Sequence, residues 1–177
     1  GAVADGPPIA DLQPPTRTDT FEGLDGFPIR IDFDPKGGSV AAVTVVQEDD
    51  QSDVELWDLD SGRLIRTLRS GPVYFDVMFS PLGDRLAVWP WYWGTDESEK
   101  AQLFDPATGS LIATLDHLEY ATAVDWSPDG QLLAVASAEE YSDLWKVDLW
   151  QAETGSLADS LSTSYFPGSL AFSPAGD

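Results

Sequence analysis

The chain is expected to be all-β, assembled from one unit that recurs about three and a half times over its 177 residues. Three observations carry this expectation. A short turn motif occurs as Phe33-Asp34-Pro35, Phe79-Ser80-Pro81, Trp126-Ser127-Pro128 and Phe172-Ser173-Pro174, with its aromatic leads 46, 47 and 46 residues apart. A second motif, Leu56-Trp57-Asp58, Leu103-Phe104-Asp105 and Leu149-Trp150-Gln151, places its aromatic 24 or 25 residues after each of the first three leads. Between these landmarks apolar residues alternate or run in short stretches, and none is long and periodic enough for a helix. A fixed period in this range marks a repeat architecture, so the repeat is the unit to explain.

The first strand of each unit runs into the aromatic lead, with an aliphatic residue two positions earlier (Ile31, Val77, Val124, Leu170), the alternation of a strand with one packed face. A tight reversal ends it. Each Pro is followed two residues later by Gly (Gly37, Gly83, Gly130, Gly176), so Pro sets the first central φ and Gly tolerates a positive one. The second strand is a nearly continuous apolar run, Ser39 to Val46, Arg85 to Trp89 and Gln131 to Ala138, as expected where both faces are covered. The third strand carries the second motif. Five residues past its aromatic stands another Gly (Gly62, Gly109, Gly155), preceded by Ser61, Thr108 or Thr154, which implies a second turn. The fourth strand begins near Leu64, Leu111 and Leu157 and continues through Thr67-Leu68, Thr114-Leu115 and Ser160-Leu161 at matching offsets.

Four strands and three turns per period, with the pattern Phe-Ser-Pro-x-Gly followed by Leu-Trp-Asp and Thr-Gly, resemble the WD-repeat family of β-propellers, where each period is one antiparallel blade. The resemblance covers roughly Thr16 to Asp177 and implies blades near Phe27–Leu68, Tyr74–Leu115 and Ala121–Leu161, or about 24–69, 70–116 and 117–162 with their connections, and an opening strand of a fourth at Ser169–Phe172 within 163–177. The fold class is thus a β-propeller fragment of about three and a half four-stranded blades. Trp57-Asp58 is the one intact family dipeptide, and Phe104-Asp105 and Trp150-Gln151 are variants. The resemblance also implies that His117, Ser137 and Trp150 join a structural hydrogen-bond network inside the third blade, with Asp143 one residue off the register of its usual acidic member. Thr16 to Phe21 would be the outer strand that closes the ring.

A closed ring needs at least ~4 blades, and the chain opens with Gly1 and stops inside a turn at Gly176-Asp177, so it is expected to be part of a longer protein whose remaining blades are missing here. Residues 1–15, with Pro7-Pro8 and Pro14-Pro15, read as an extended linker. No apolar run approaches the ~20 residues of a membrane span. Cysteine is absent, which excludes disulfides and thiolate metal sites and leaves the compartment open.

The formal charge is −22, from 31 acidic and 9 basic residues, so phosphate backbones are repelled and nucleic acid is not an expected partner. Acids spread along the whole chain favour a solvated surface suited to solubility or high salt. The alternative is attraction to a cationic partner or a divalent ion.

Catalysis requires a positioned base and nucleophile or a liganded metal. One His, no Cys, no phosphate-binding glycine loop and no Gly-x-Ser-x-Gly elbow leave no catalytic residue, cofactor or metal to expect. Glu48-Asp49-Asp50 with Asp53 lacks the alternate spacing and central Gly of a calcium loop. The unusual local feature is Trp89-Pro90-Trp91-Tyr92-Trp93-Gly94, followed by the polar stretch Thr95 to Lys100 that includes Glu97. It joins the second and third strands of blade two, where the corresponding loops are Gln47 to Ser52 and Ala138 to Ser142. The resemblance implies that this rim receives partners. Trp91, Tyr92, Trp93, Glu97 and Tyr141 are the candidate binding residues, because aromatics beside carboxylates can stack on a sugar, hold a cation or anchor a peptide. The competing reading is that these rings pack between blades.

The expected function is a non-catalytic interaction scaffold that binds a protein or peptide through these loops. The alternatives are an extracytoplasmic propeller that binds a ligand such as carbohydrate, and the non-catalytic propeller of a larger hydrolase or regulatory enzyme.

Overall fold

Two kinds of turn divide the chain into strands, and both follow from its glycines and acids. In the computed structural model, which describes residues 21, 26–46, 51–72, 74–90, 100–115, 121–138 and 145–176, Gly37, Gly83, Gly130 and Gly176 all have positive φ, between 60° and 87°. Each donates its N–H to the residue that follows the aromatic lead, as Gly83 does to the Ser80 carbonyl at 2.8 Å, closing a turn with Pro at its first central position. In the second turn Gly62, Gly109 and Gly155 donate to Asp58, Asp105 and Gln151. Here the side chain adds support. Asp58 Oδ1 accepts from the N–H and hydroxyl of Ser61 at 2.7 and 2.6 Å, and Asp105 does the same work for Ala107 and Thr108. The Asp of the second motif is therefore a turn residue.

Between the turns run the strands. Blade one holds β1 (Phe27–Phe33), β2 (Ser39–Val46), β3 (Gln51–Asp58) and β4 (Leu64–Gly71); blade two holds β5 (Phe75–Phe79), β6 (Leu86–Pro90), β7 (Ala101–Phe104) and β8 (Leu111–Leu115). Blade three holds β9 (Ala121–Trp126), β10 (Leu132–Ala138), β11 (Trp145–Gln151) and β12 (Leu157–Thr163). Each blade is one antiparallel sheet in chain order, with no helix among the described residues. The all-β propeller architecture expected from the repeat is the one observed.

The core lies between the sheets. Ala41, Val43, Val54 and Leu56 of blade one pack with Phe75, Val77, Phe79, Leu86, Val88 and Phe104 of blade two. On the other side of the second sheet, Ala87, Trp89, Leu103 and Leu115 pack with Trp126, Leu133, Val135 and Trp150 of blade three. Central strands are covered on both faces, which is why β6 is buried throughout.

Hydrogen bonds stitch one blade to the next. Asp32, just before the first aromatic lead, accepts the N–H of Phe79 at 2.6 Å, and Asp125 accepts that of Phe172 at 2.7 Å, each across 47 residues. At the middle junction Met78 stands in place of the acid, and its carbonyl accepts from the Trp126 indole at 3.4 Å.

Some boundaries differ from expectation. Gln51 and Ser52, read as loop, begin β3, and Ala138 ends β10. The second strand of blade two extends one residue past Trp89 to Pro90, which is buried. Ser169–Phe172 forms no strand, although Phe172 is docked on Asp125. An incoming strand gains its ladder from the segment beyond the turn, and the described residues end within that turn, at Gly176. Residues 1–15 lie outside the described residues, as does the expected closing strand apart from Phe21, whose ring meets Trp57 edge-on at 5.5 Å.

Candidate functional site

At the end of the blades where β1, β5 and β9 begin and β6 finishes, the inner strands frame a cavity of about 460 Å³. Its inner wall comes from Arg30, Asp76, Met78 and the stretch Ala121 to Val124, and its outer wall from Trp89, Trp145 and Phe166. The side chains meet here because alternation on β5 sends Asp76 and Met78 to the face opposite Val77 and Phe79, which are in the core.

Arg30 Nε lies 3.2 Å from Asp76 Oδ2, so the charged pair is matched across the junction of blades one and two. The Arg30 Nη1 donates to its neighbour's carbonyl, that of Ile29, at 2.9 Å, and Asp76 Oδ1 accepts the Val77 N–H at 2.9 Å. Thr122 donates its hydroxyl to the Pro167 carbonyl at 2.9 Å, drawing the chain beyond β12 over the start of β9. Phe166, carried on that chain, meets Trp145 in a T-shaped contact with centroids 4.7 Å apart and planes at 89°. The lining is thus apolar and aromatic, and its charged and hydroxyl groups are already engaged.

Of the residues singled out from sequence, Trp91, Tyr92, Trp93, Glu97, Tyr141 and His117 lie outside the described residues. The strands that flank their segments end or begin at the cavity, through Trp89 on β6 and Trp145 on β11. Ser137 and Trp150 are both buried, and neither Ser137 Oγ nor Trp150 Nε1 has a hydrogen-bond partner among the described residues, which do not include His117, the third member of the expected network.

Blade one shows what the third lacks. Glu55 Oε2 accepts from Thr44 Oγ1 at 3.3 Å and from Trp57 Nε1 at 3.2 Å, all three being buried. The matching residues of blade three are Ser137, Asp148 and Trp150. Asp148, one methylene shorter than Glu55, is turned to Ser160 Oγ at 2.6 Å and Lys146 Nζ at 3.1 Å. The acid sits on the third strand two residues before the Trp, a position that a search for Asp143 overlooks.

Asp32, at the junction of blades one and two, has its carboxyl pushed above the ordinary range, first by burial and in smaller part by the Asp76 charge, against the lowering effect of the Phe79 and Phe33 N–H groups. Asp105 and Asp129 are held below it, chiefly by the Thr108 and Ser127 hydroxyls respectively. No group of three His, Asp or Glu side chains that could hold a metal occurs among the described residues.

Comparison with known proteins agrees with the architecture. No protein-family profile matches the chain. A curated relative, the U3 small nucleolar RNA-associated protein 21 homolog of Schizosaccharomyces pombe, is 29% identical over 125 residues, or 70% of this chain. The chain spans only 13% of that relative's length. Among solved structures, the RRP9 WD40 repeats superpose with a TM-score of 0.58 at 14% identity, over 81% of this chain and 41% of that one. TolB from Acinetobacter baumannii superposes with a TM-score of 0.59 at 23% identity, over 88% of this chain and 37% of that one. The chain shares the WD-repeat propeller fold, with three blades of the ring described.

Proposed function

We propose that the chain is part of a non-catalytic interaction scaffold that binds a protein or peptide at the rim where the cavity opens. The observation that carries this reading is the cavity itself, an apolar recess between blades at the end where β6 finishes and β11 begins. Apolar recesses with a few fixed polar groups are what small ligands and peptide side chains fill. Among the described residues that line the recess the single carboxylate is paired with Arg30, and none is a His. The curated relative's name describes an RNA-associated protein. For this chain a protein surface is the better partner than RNA, because −22 charges repel phosphates.

Selection of peptides from a displayed random library tests the reading. Selected sequences should compete with one another and lose about tenfold or more in affinity for the Trp91→Ala/Trp93→Ala double variant, with melting temperature unchanged. Selected peptides that bind the double variant as tightly as the parent would contradict rim binding. Unfolding of the double variant would assign those rings to the core.

A further inference from the structure

We infer that the cavity between blades two and three seats an aromatic side chain that carries a proton donor at its edge, the tyrosine or tryptophan of a bound peptide, with Asp76 accepting the bond from its hydroxyl or indole N–H. The anchor rests on the rim reading above and commits it to one ligand chemistry.

The walls select a flat apolar guest. Trp89, Trp145 and Phe166 bring aromatic surface to the recess and Met78 an adaptable thioether. The Trp145 and Phe166 rings stand at 89° to each other, so a ring stacked on one is perpendicular to the other, and aromatic pairs favour both arrangements. At about 460 Å³ the space accepts a large side chain with part of its backbone.

The proton donor follows from the acceptor set into these walls. A carboxylate offers about four acceptor positions on its two oxygens. Asp76 Oδ2 takes the Arg30 Nε–H at 3.2 Å and Oδ1 the Val77 N–H at 2.9 Å. These are its hydrogen bonds among the described residues, so each oxygen keeps a second position, and the side chain is 28% exposed. The Arg30 guanidinium offsets the charge of the carboxylate, which disfavours a free ammonium ion without removing the acceptor. A sugar needs several hydrogen-bond partners, and the Thr122 hydroxyl is already donated to Pro167. A phenol or an indole needs one partner. Its polar edge carries partial positive charge complementary to the carboxylate, which makes the bond a charge-assisted one, while the ring lies against the aromatic walls.

The test is NMR titration of the chain with N-acetyl-tyrosinamide and N-acetyl-phenylalaninamide, which differ by one hydroxyl. The tyrosine probe should bind about tenfold more tightly, in keeping with a hydrogen bond to a charged acceptor. In the Arg30→Met/Asp76→Leu double variant, which removes both charges and strands neither, the two probes should bind equally. Ala123→Phe, which fills the recess, and Phe166→Ala, at an exposed site outside the strands, should each weaken both probes about tenfold. If the double variant or Ala123→Phe fails to fold, the preference shown by the parent and the effect of Phe166→Ala decide. Equal binding of the two probes to the parent, or a tyrosine preference that survives the loss of Asp76, would overturn the donor chemistry. Failure of both probes to bind would overturn the anchor. Library-selected peptides that lose affinity for the Trp91→Ala/Trp93→Ala variant but bind Ala123→Phe and Phe166→Ala like the parent would also overturn the anchor, while leaving rim binding standing.

Discussion

Asp32 and Asp105 show how one residue type serves opposite ends in a repeat. The Asp32 carboxylate is half-buried at a blade junction, where it accepts the Phe79 N–H, and this partial burial raises its pKa. A raised folded pKa means that the fold prefers the protonated form, so this contribution is fully present below the unfolded value of about 4 and is lost as pH rises through the folded one. Asp105 is the reverse. Its carboxylate caps a turn, its pKa is lowered, and its contribution is present above the unfolded value and lost as pH falls through the folded one. Urea unfolding of Asp32→Asn and Asp105→Asn at neutral pH and below about pH 4 should therefore show opposite trends. Relative to its variant, the parent gains on acidification in the first case and loses in the second. At neutral pH, Asp105→Ala should cost about 1 kcal/mol. Trends of the same sign for both residues would contradict these assignments. The turn role was legible in sequence from Pro-x-Gly and Asp-x-x-x-Gly spacings, because those residues act locally. The junction role of Asp32 was not, because its partner lies 47 residues away and a polar residue in a strand otherwise reads as a solvent-facing one.

At the level of the blade, two sheets with matching sequence differ in how their buried polar groups are satisfied. Glu55 gives Thr44 and Trp57 an acceptor in blade one, whereas Ser137 and Trp150 have none among the described residues of blade three. Removing a buried acceptor strands its donors, and removing an already unpaired hydroxyl strands nothing. Glu55→Ala is expected to destabilise by about 2–3 kcal/mol, and Ser137→Ala to stay within about 0.5 kcal/mol of the parent. Chemical denaturation compares them directly, and a Ser137→Ala cost as large as that of Glu55→Ala would show that the Ser137 hydroxyl is paired in solution. The order and approximate bounds of all twelve described strands were readable because hydrophobic alternation and turn chemistry are both periodic. The Ser169–Phe172 strand was misread because its apolar alternation is present but its hydrogen-bonding neighbour is not.

The whole molecule is held by the contacts between blades, and its ends show this. Phe79 and Trp126 are buried against the preceding sheet, at 5% and 4% exposure, whereas the equivalent Phe33 of blade one is 57% exposed. Leu157, Leu161 and Tyr165 are likewise exposed at the far end. Sedimentation of the isolated chain should reveal concentration-dependent self-association through these faces, and Phe33→Ser should reduce it. A strictly monomeric parent would argue against it. The charge of −22 adds a second expectation, that melting temperature rises substantially from low to molar salt as repulsion is screened; a flat response would count against an acid-strained surface. Repeat number and fold were open to sequence reading, but the cavity was not, since its walls come from Arg30, Asp76, Thr122 and Phe166 on separate repeats. Of the aromatic run, Trp89 lines the recess, which the sequence did not show.

Amide hydrogen exchange of the chain, alone and saturated with a library-selected peptide, tests most directly that the blades present a binding rim. Added protection should concentrate at the starts of β5, β9 and β11 and the end of β6, around Asp76, Trp89, Thr122 and Trp145. Protection confined to the outer strands β4, β8 and β12, with the cavity walls unchanged, would contradict it.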